Sequence, residues 1–358
     1  MPDRNPFQQL LGAIGGWFGR KAGRLVYETI PAERTDRPGE QVPLQPYASY
    51  FRLWLSEMYL SRRSGWGRSW LPAVHSEVRL TSGNHEGVTV SRVAQPPQDQ
   101  LAEGVRLNYQ LTDLLPFNGG AVEVEASLLA LEESDQLKAA LGVLAGFSSL
   151  VAPPIGQALA VAERVSLGAR DLITAGQGRV HLGFHETLTS DGGGGQVLRP
   201  GYLVVLRATG DEVDRGRLHV REHQLHHRGD DGTLRPFDAA DYLLLRVEGR
   251  GERDDWRLRD IQEPLDQAIL ALAEGDAARA AAYRTVALAA AWKSLDLAQL
   301  DRRRVVQAIK DELAAFAADP RGATGRTARD LGTLVAVRAM PRARAAAEGD
   351  LTAAEVFA

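Results

Sequence analysis

The chain has 358 residues, none of them cysteine, and sets 42 Lys and Arg against 46 Asp and Glu for a net charge of −4. Without cysteine there is no disulfide framework, thiolate nucleophile or Cys-ligated zinc, and the cytoplasm suits such a chain best. A near-balanced charge spreads no strong field, so nucleic acid is not an expected partner.

Residues 1–46 read as an amphipathic segment followed by a Pro-rich arm. Phe7, Leu10, Leu11, Ile14, Trp17 and Phe18 recur at helical spacing, and Arg20, Lys21 and Arg24 follow them. Such a face can meet a lipid interface or a protein. The segment also carries Gly12, Gly15, Gly16, Gly19 and Gly23, each costing about 1 kcal/mol relative to Ala in a helix, so order must come from packing. The opening residues lack the basic-then-apolar order and cleavage site of a secretory signal. Residues 30–46, IPAERTDRPGEQVPLQP, show no apolar period and are expected to link rather than fold, which starts the folded body near Tyr47.

Residues 47–258 read as a β-rich body. ASYFRLWLSEMYL, AVHSEVRLT, GVTVSRVA, VRLNYQLTDLL and GGAVEVEASLLAL are short, rich in Val, Leu and aromatics, and parted by turn residues. That spacing predicts an α+β fold with an antiparallel β-sandwich-like body. Within it, residues 134–175 change period: Leu137, Leu141, Leu144 and Val151 precede Pro153–Pro154, and Leu159, Ala162 and Val165 follow. No charge lies between Lys138 and Glu163. A membrane span needs about 20 apolar residues, and the proline pair leaves pieces of roughly fourteen and eight. A buried helical insertion covering one face of the body is therefore expected. Strands resume with GRVHLGFHETLT, PGYLVVLRA, RLHVREHQLHH and DYLLLRVEG, the first two parted by the linker-like DGGGGQ.

Histidine is the residue type here best able to bind a metal or move a proton near neutral pH. His181 and His185 alternate with Val180, Leu182 and Phe184, which predicts a strand with both imidazoles on one face, roughly 13 Å apart and too far to share a metal. His219, His223, His226 and His227 show two His-x-x-x-His spacings, which on a helix would set ligands side by side. His219, His223 and His227 are the metal candidates. Alternation with Leu218 and Val220, then the turn residues Gly229, Asp230, Asp231 and Gly232, predicts a solvated hairpin instead, so no metal or cofactor is expected. Asp230, Asp231, Asp238 and Asp241 could gather around calcium or simply form turns. No nucleophile elbow, phosphate-cradling loop or His-Glu-x-x-His is present, and no catalytic residue is assigned.

Residues 259–320 are expected to be helical, with Leu265, Ile269 and Leu272 in one apolar stripe and Val305, Ile309, Leu313 and Phe316 in another. Residues 321–358 form an Ala/Arg-rich tail, expected to be mobile. In Leu270–Ala290, Gly275–Asp276 at a turn, Ala280, Tyr283 and Ala287–Leu288 resemble one tetratricopeptide helix pair, not repeated elsewhere. The resemblance implies a helical hairpin that packs on neighbours and offers a surface to a protein partner. Arg302, Arg303 and Arg304 start the next helix, where cations oppose the macrodipole, and are expected on a solvated face or against an acidic partner.

These features point to a non-enzymatic adaptor, scaffold or regulatory subunit of a multi-protein system, bacterial by its Ala/Arg/Gly-rich style. A protein partner is expected, with the amino-terminal apolar residues and Arg302–Arg304 as candidate contacts to a partner or a membrane; the other reading of the amino-terminal helix docks it on its own domain or a neighbouring subunit. Two other readings stand beside it: a membrane-active effector using the amino-terminal segment and the apolar insertion, and a hydrolase or metal-dependent enzyme using the His-rich hairpin.

Overall fold

A computed structural model describes residues 26–37, 43–60, 64–65, 68–81, 88–94, 105–132, 165, 178–190, 196–208 and 212–318. The amino-terminal amphipathic residues Phe7 to Phe18, the tail 321–358, and the insertion 134–175 apart from Val165 lie outside them. Val165 is helical and fully buried.

In chain order, β1 is Val26–Ile30, β2 Ser49–Tyr59, β3 Ser64–Gly65, β4 Arg68–Thr81 and β5 Val88–Ala94. Then come β6 Val105–Gln110, β7 Leu115–Phe117, β8 Ala121–Glu132, β9 Gly178–Thr189, β10 Gln196–Val197 and β11 Gly201–Leu206. β12 Leu218–Arg221, β13 Gln224–Arg228, β14 Leu234–Pro236 and β15 Tyr242–Arg250 complete the strands. Among the described residues these are followed by α1 Arg259–Ala273, α2 Ala277–Lys293 and α3 Gln299–Ala318. The protein is thus of mixed α and β content, mostly strands in antiparallel pairs. The described residues form two compact units, one drawn from 26–46, 51–115 and 119–249, the other from 47–50, 116–118 and 250–318.

In the β unit, one sheet has the order β1-β11-β15-β2-β6, a second β10-β9-β8-β4-β3 with β5 on β4, and a third β12-β13-β14. The period of two sorts each strand into faces. Val26 and Ile30 of β1, Tyr202, Val204 and Leu206 of β11, and Tyr242 and Leu244 of β15 pack with Leu218, Val220, Leu225 and Phe237 of the third sheet region. Glu57 of β2 secures that sheet by accepting the Leu225 N–H at 2.7 Å. In the second sheet Val74, Val78, Val122, Val124, Ala126, Leu128, Leu182 and Phe184 are buried on one face. Tyr27 of β1 stacks on Phe184 of that face, ring centroids 5.4 Å apart, and donates its hydroxyl to Glu186 at 2.9 Å.

The sequence reading starts the body at Tyr47; the structure starts it earlier. Val26–Ile30 pairs with β11 in continuous register from Val26↔Leu206 to Ile30↔Tyr202. Ile30 is fully buried, and Leu44 keeps 6 % of its surface. Arg34 donates to the Arg215 carbonyl at 2.6 Å, so part of the proline-rich stretch is packed as well. Prolines mask this because they remove N–H donors from a segment whose side chains still bury.

In the helical unit the predicted stripes hold: Leu265, Val305, Ile309 and Leu313 join Trp256, Ala287, Leu288 and Leu297 in one core. α1 and α2 form a hairpin. Gly275 adopts φ 77 between them, a left-handed position that glycine takes without a Cβ clash, and the Asp276 side chain caps α2 by accepting the Arg279 N–H. Tyr50, in the short segment 47–50 of this unit, donates its hydroxyl to Asp301 at 2.6 Å and accepts the Ala298 N–H at 2.9 Å.

Candidate functional site

The second sheet carries a polar face that sequence reasoning did not assemble. Antiparallel register sets Ser91 opposite Glu77, Glu77 opposite Glu125, and Glu125 opposite His185, one row across β5, β4, β8 and β9. The next row holds Arg79 opposite Glu123. Arg79 reaches Glu77 at 3.4 Å and Glu123 at 3.5 Å, and His185 Nδ1 lies 4.0 Å from Glu125. Glu77, Arg79, Glu123, Glu125 and His185 line a shallow open cleft.

Glu77 and Glu125 each keep only 6 % of their surface. Burial first, and the neighbouring Glu77 second, push the Glu125 carboxyl up to about 8 against the pull of Arg79. Near neutral pH Glu125 therefore keeps its proton, beside Glu77 and His185. In the adjacent row His75 is 1 % exposed, and its Nε2 pairs with Ser91 Oγ at 3.0 Å. Burial pushes its imidazole down to about 4, so it stays neutral.

His181 and His185 do not share a face. The β8–β9 register shifts between Leu128 and Leu129, so His181 is the extra residue of a β-bulge. The bulge turns it to Asp241 at 2.6 Å and Arg207 at 2.8 Å, beside β15 and β11 of the first sheet, while His185 stays beside Glu125.

The metal candidates are spent on three different neighbours. The hairpin is present, with His219 paired to His226 and a two-residue turn at Glu222 and His223, both at positive φ. His219 Nε2 accepts from Arg228 at 3.2 Å, His223 Nδ1 pairs with the Tyr202 hydroxyl at 2.7 Å, and His227 packs tilted on Phe237. Among the described residues no three His, Cys, Asp or Glu are placed to hold a metal ion. The acidic residues separate too: Asp230 pairs with Arg217, Asp231 with Arg235, and Asp241 with His181.

Two of the three arginines at the start of α3 turn inward. Arg304 pairs with Asp301, lies 3.6 Å from Glu252 and donates to the Arg253 carbonyl at 3.0 Å. Arg302 donates to the Leu297 carbonyl at 3.2 Å, and burial lowers its pKa. Asp301, buried in the first turn, supplies the negative charge that the macrodipole favours there.

Ala278, Ala281, Ala282, Thr285 and Val286 of α2 are exposed at i, i+3 and i+4 spacings, and none carries charge. Val286 keeps 53 % of its surface and Leu270 of α1 46 %. Among the described residues no helix is long and apolar enough to cross a membrane. No protein-family model, curated protein or solved structure matches the chain.

Proposed function

We propose that the protein is a non-enzymatic adaptor or regulatory subunit, a β-sandwich body joined to a helical unit whose α2 face docks a helix of a partner protein. The carrying observation is the uncharged, exposed face Ala278, Ala281, Ala282, Thr285 and Val286. Small side chains let a second helix approach closely, and a half-exposed Val286 at the carboxyl-terminal end of the face is apolar surface that packing would cover. The resemblance of Leu270–Ala290 to a tetratricopeptide pair supports a helical occupant, because such pairs stack face to face. The facing of Tyr27 and Phe184 supports the sandwich.

A photo-crosslinking residue at position 286, expressed in cells that carry the partner, tests the reading. One discrete adduct, mapped to a helix of a single protein and lost on Ala282→Lys, is the expected result. Adducts matching those from the exposed α1 position Glu263 would overturn it.

A further inference from the structure

Among the described residues, Arg246 of β15 is a buried cation with no acidic side chain in ion-pair contact. It keeps 7 % of its surface, and its Nε is sealed from solvent with no hydrogen-bond partner. Among the described residues its guanidinium makes neither a hydrogen bond nor an ion pair. It lies over the Trp54 indole, with Cζ 5.1 Å from the ring centroid. Buried charges in folded proteins are paired, and an arginine cannot escape the cost by losing its proton.

Arg52 stands two residues before Trp54 on β2 and therefore on the same face. Its guanidinium lies over the same indole at 5.5 Å, and its Nε is likewise buried and unpartnered. Glu248 fixes the platform by accepting the indole N–H at 2.7 Å, and lies 3.9 Å from Arg52. Two guanidiniums and one carboxylate leave the group with a single net positive charge.

We propose that Arg246, Arg52 and Trp54 form a receptor for one carboxylate group. A guanidinium presents N–H donors in a planar fork that matches a carboxylate, and the indole holds both forks in place before the ligand arrives. Charge selects the ligand: a monoanion neutralises the set, whereas a phosphate dianion would leave it negative beside Glu248. The helical face of α2 plays no part in this site.

Sodium acetate and sodium chloride at matched ionic strength, compared by thermal unfolding of the full chain at pH 7, test the assignment. Acetate is expected to raise the melting temperature above its value in chloride, because a ligand of the folded state stabilises it. Arg246→Met should lose that difference, with acetate affinity falling about tenfold or more. It should also melt higher than wild type in chloride, since a lone buried charge has been removed. Should Arg246→Met not fold, Arg52→Met provides the same comparison at a partly exposed position. An acetylated, amidated glutamate peptide that binds more tightly than acetate would assign the carboxylate to a polypeptide; binding no tighter would assign it to a small molecule. Equal acetate effects in wild type and variant, or a response to phosphate alone, would overturn the proposal.

Discussion

Glu77 of β4 and Glu125 of β8 are direct partners across an antiparallel ladder, each 6 % exposed. Like charges so placed oppose each other, and the strain is relieved by a proton held on Glu125 up to about 8. Below the ordinary glutamate value of 4.5, folded and unfolded chains both carry that proton. Above it the unfolded chain releases the proton and the folded chain keeps it, so stability falls with rising pH until about 8, by at most roughly 1.4 kcal/mol per pH unit. Glu125→Gln removes this slope. Urea unfolding at about pH 5, 6.5 and 8 should show the variant gaining on wild type as pH rises; a constant gap would count against the shifted proton.

His75 contributes with the opposite sign. Its folded pKa lies near 4 against an ordinary 6.5, so between those values the unfolded chain takes up a proton that the folded chain refuses. Its stability contribution is complete above 6.5 and is lost as pH falls toward 4. From about 4.5 to 6.5 the slopes of His75 and Glu125 offset each other, and above 6.5 only that of Glu125 remains. His75→Gln is expected to leave a continuous decline in stability from about pH 4.5 upward, read by the same urea series.

Local alternation made the strands legible: GRVHLGFHETLT and DYLLLRVEG, predicted as strands, are β9 and β15. The helical stripe Val305, Ile309, Leu313 and Phe316 was equally clear, since one face of a helix is written within a few turns, and all four are buried. The polar row was not legible, because Glu77, Glu125 and His185 meet only through pairing of β4, β8 and β9. Nothing in AVEVEAS states which strand will lie beside it. His181 misled for a related reason: an inserted residue reverses the faces on one side of it, and a bulge leaves no mark in the periodicity. Arg246 was hidden inside DYLLLRVEG, where a single arginine after an apolar run looks like the strand reaching solvent.

Tyr50 offers a test of the helical unit. Its hydroxyl joins Asp301 and the Ala298 N–H, and burial, reinforced by the Asp301 charge, holds the phenol protonated well above its ordinary range. Tyr50→Phe removes one oxygen and leaves a buried N–H without that acceptor, while Arg304 still pairs with Asp301. The expected loss is about 1–3 kcal/mol, the usual cost of orphaning buried polar groups. Chemical unfolding followed by helix ellipticity measures it, and no change would show that the hydroxyl is dispensable.

A linker and a strand behave differently on substitution at the amino-terminal end of the described chain. If residues 30–46 merely connected two regions, shortening the Ile30 side chain would be silent, because a solvated linker residue contributes within about 0.5 kcal/mol. The structure instead buries Ile30 completely, in one cluster with Tyr202 of β11, Leu218 and Val220 of β12, and Phe237. Ile30→Ala should therefore cost about 2–5 kcal/mol, the transfer of the lost carbons plus the cavity left among neighbours that cannot collapse fully. Tyr27→Phe, which removes only the hydrogen bond to Glu186 and keeps the stacking on Phe184, should cost about 0.5–1.5 kcal/mol. A truncation beginning at Pro31 would lose both residues and uncover the β11 edge, an unpaired row of N–H and C=O groups that invites association. Urea midpoints for the two substitutions and light scattering for the truncation give the outcome. A silent Ile30→Ala with a monomeric truncation would return the segment to the linker that its prolines suggested.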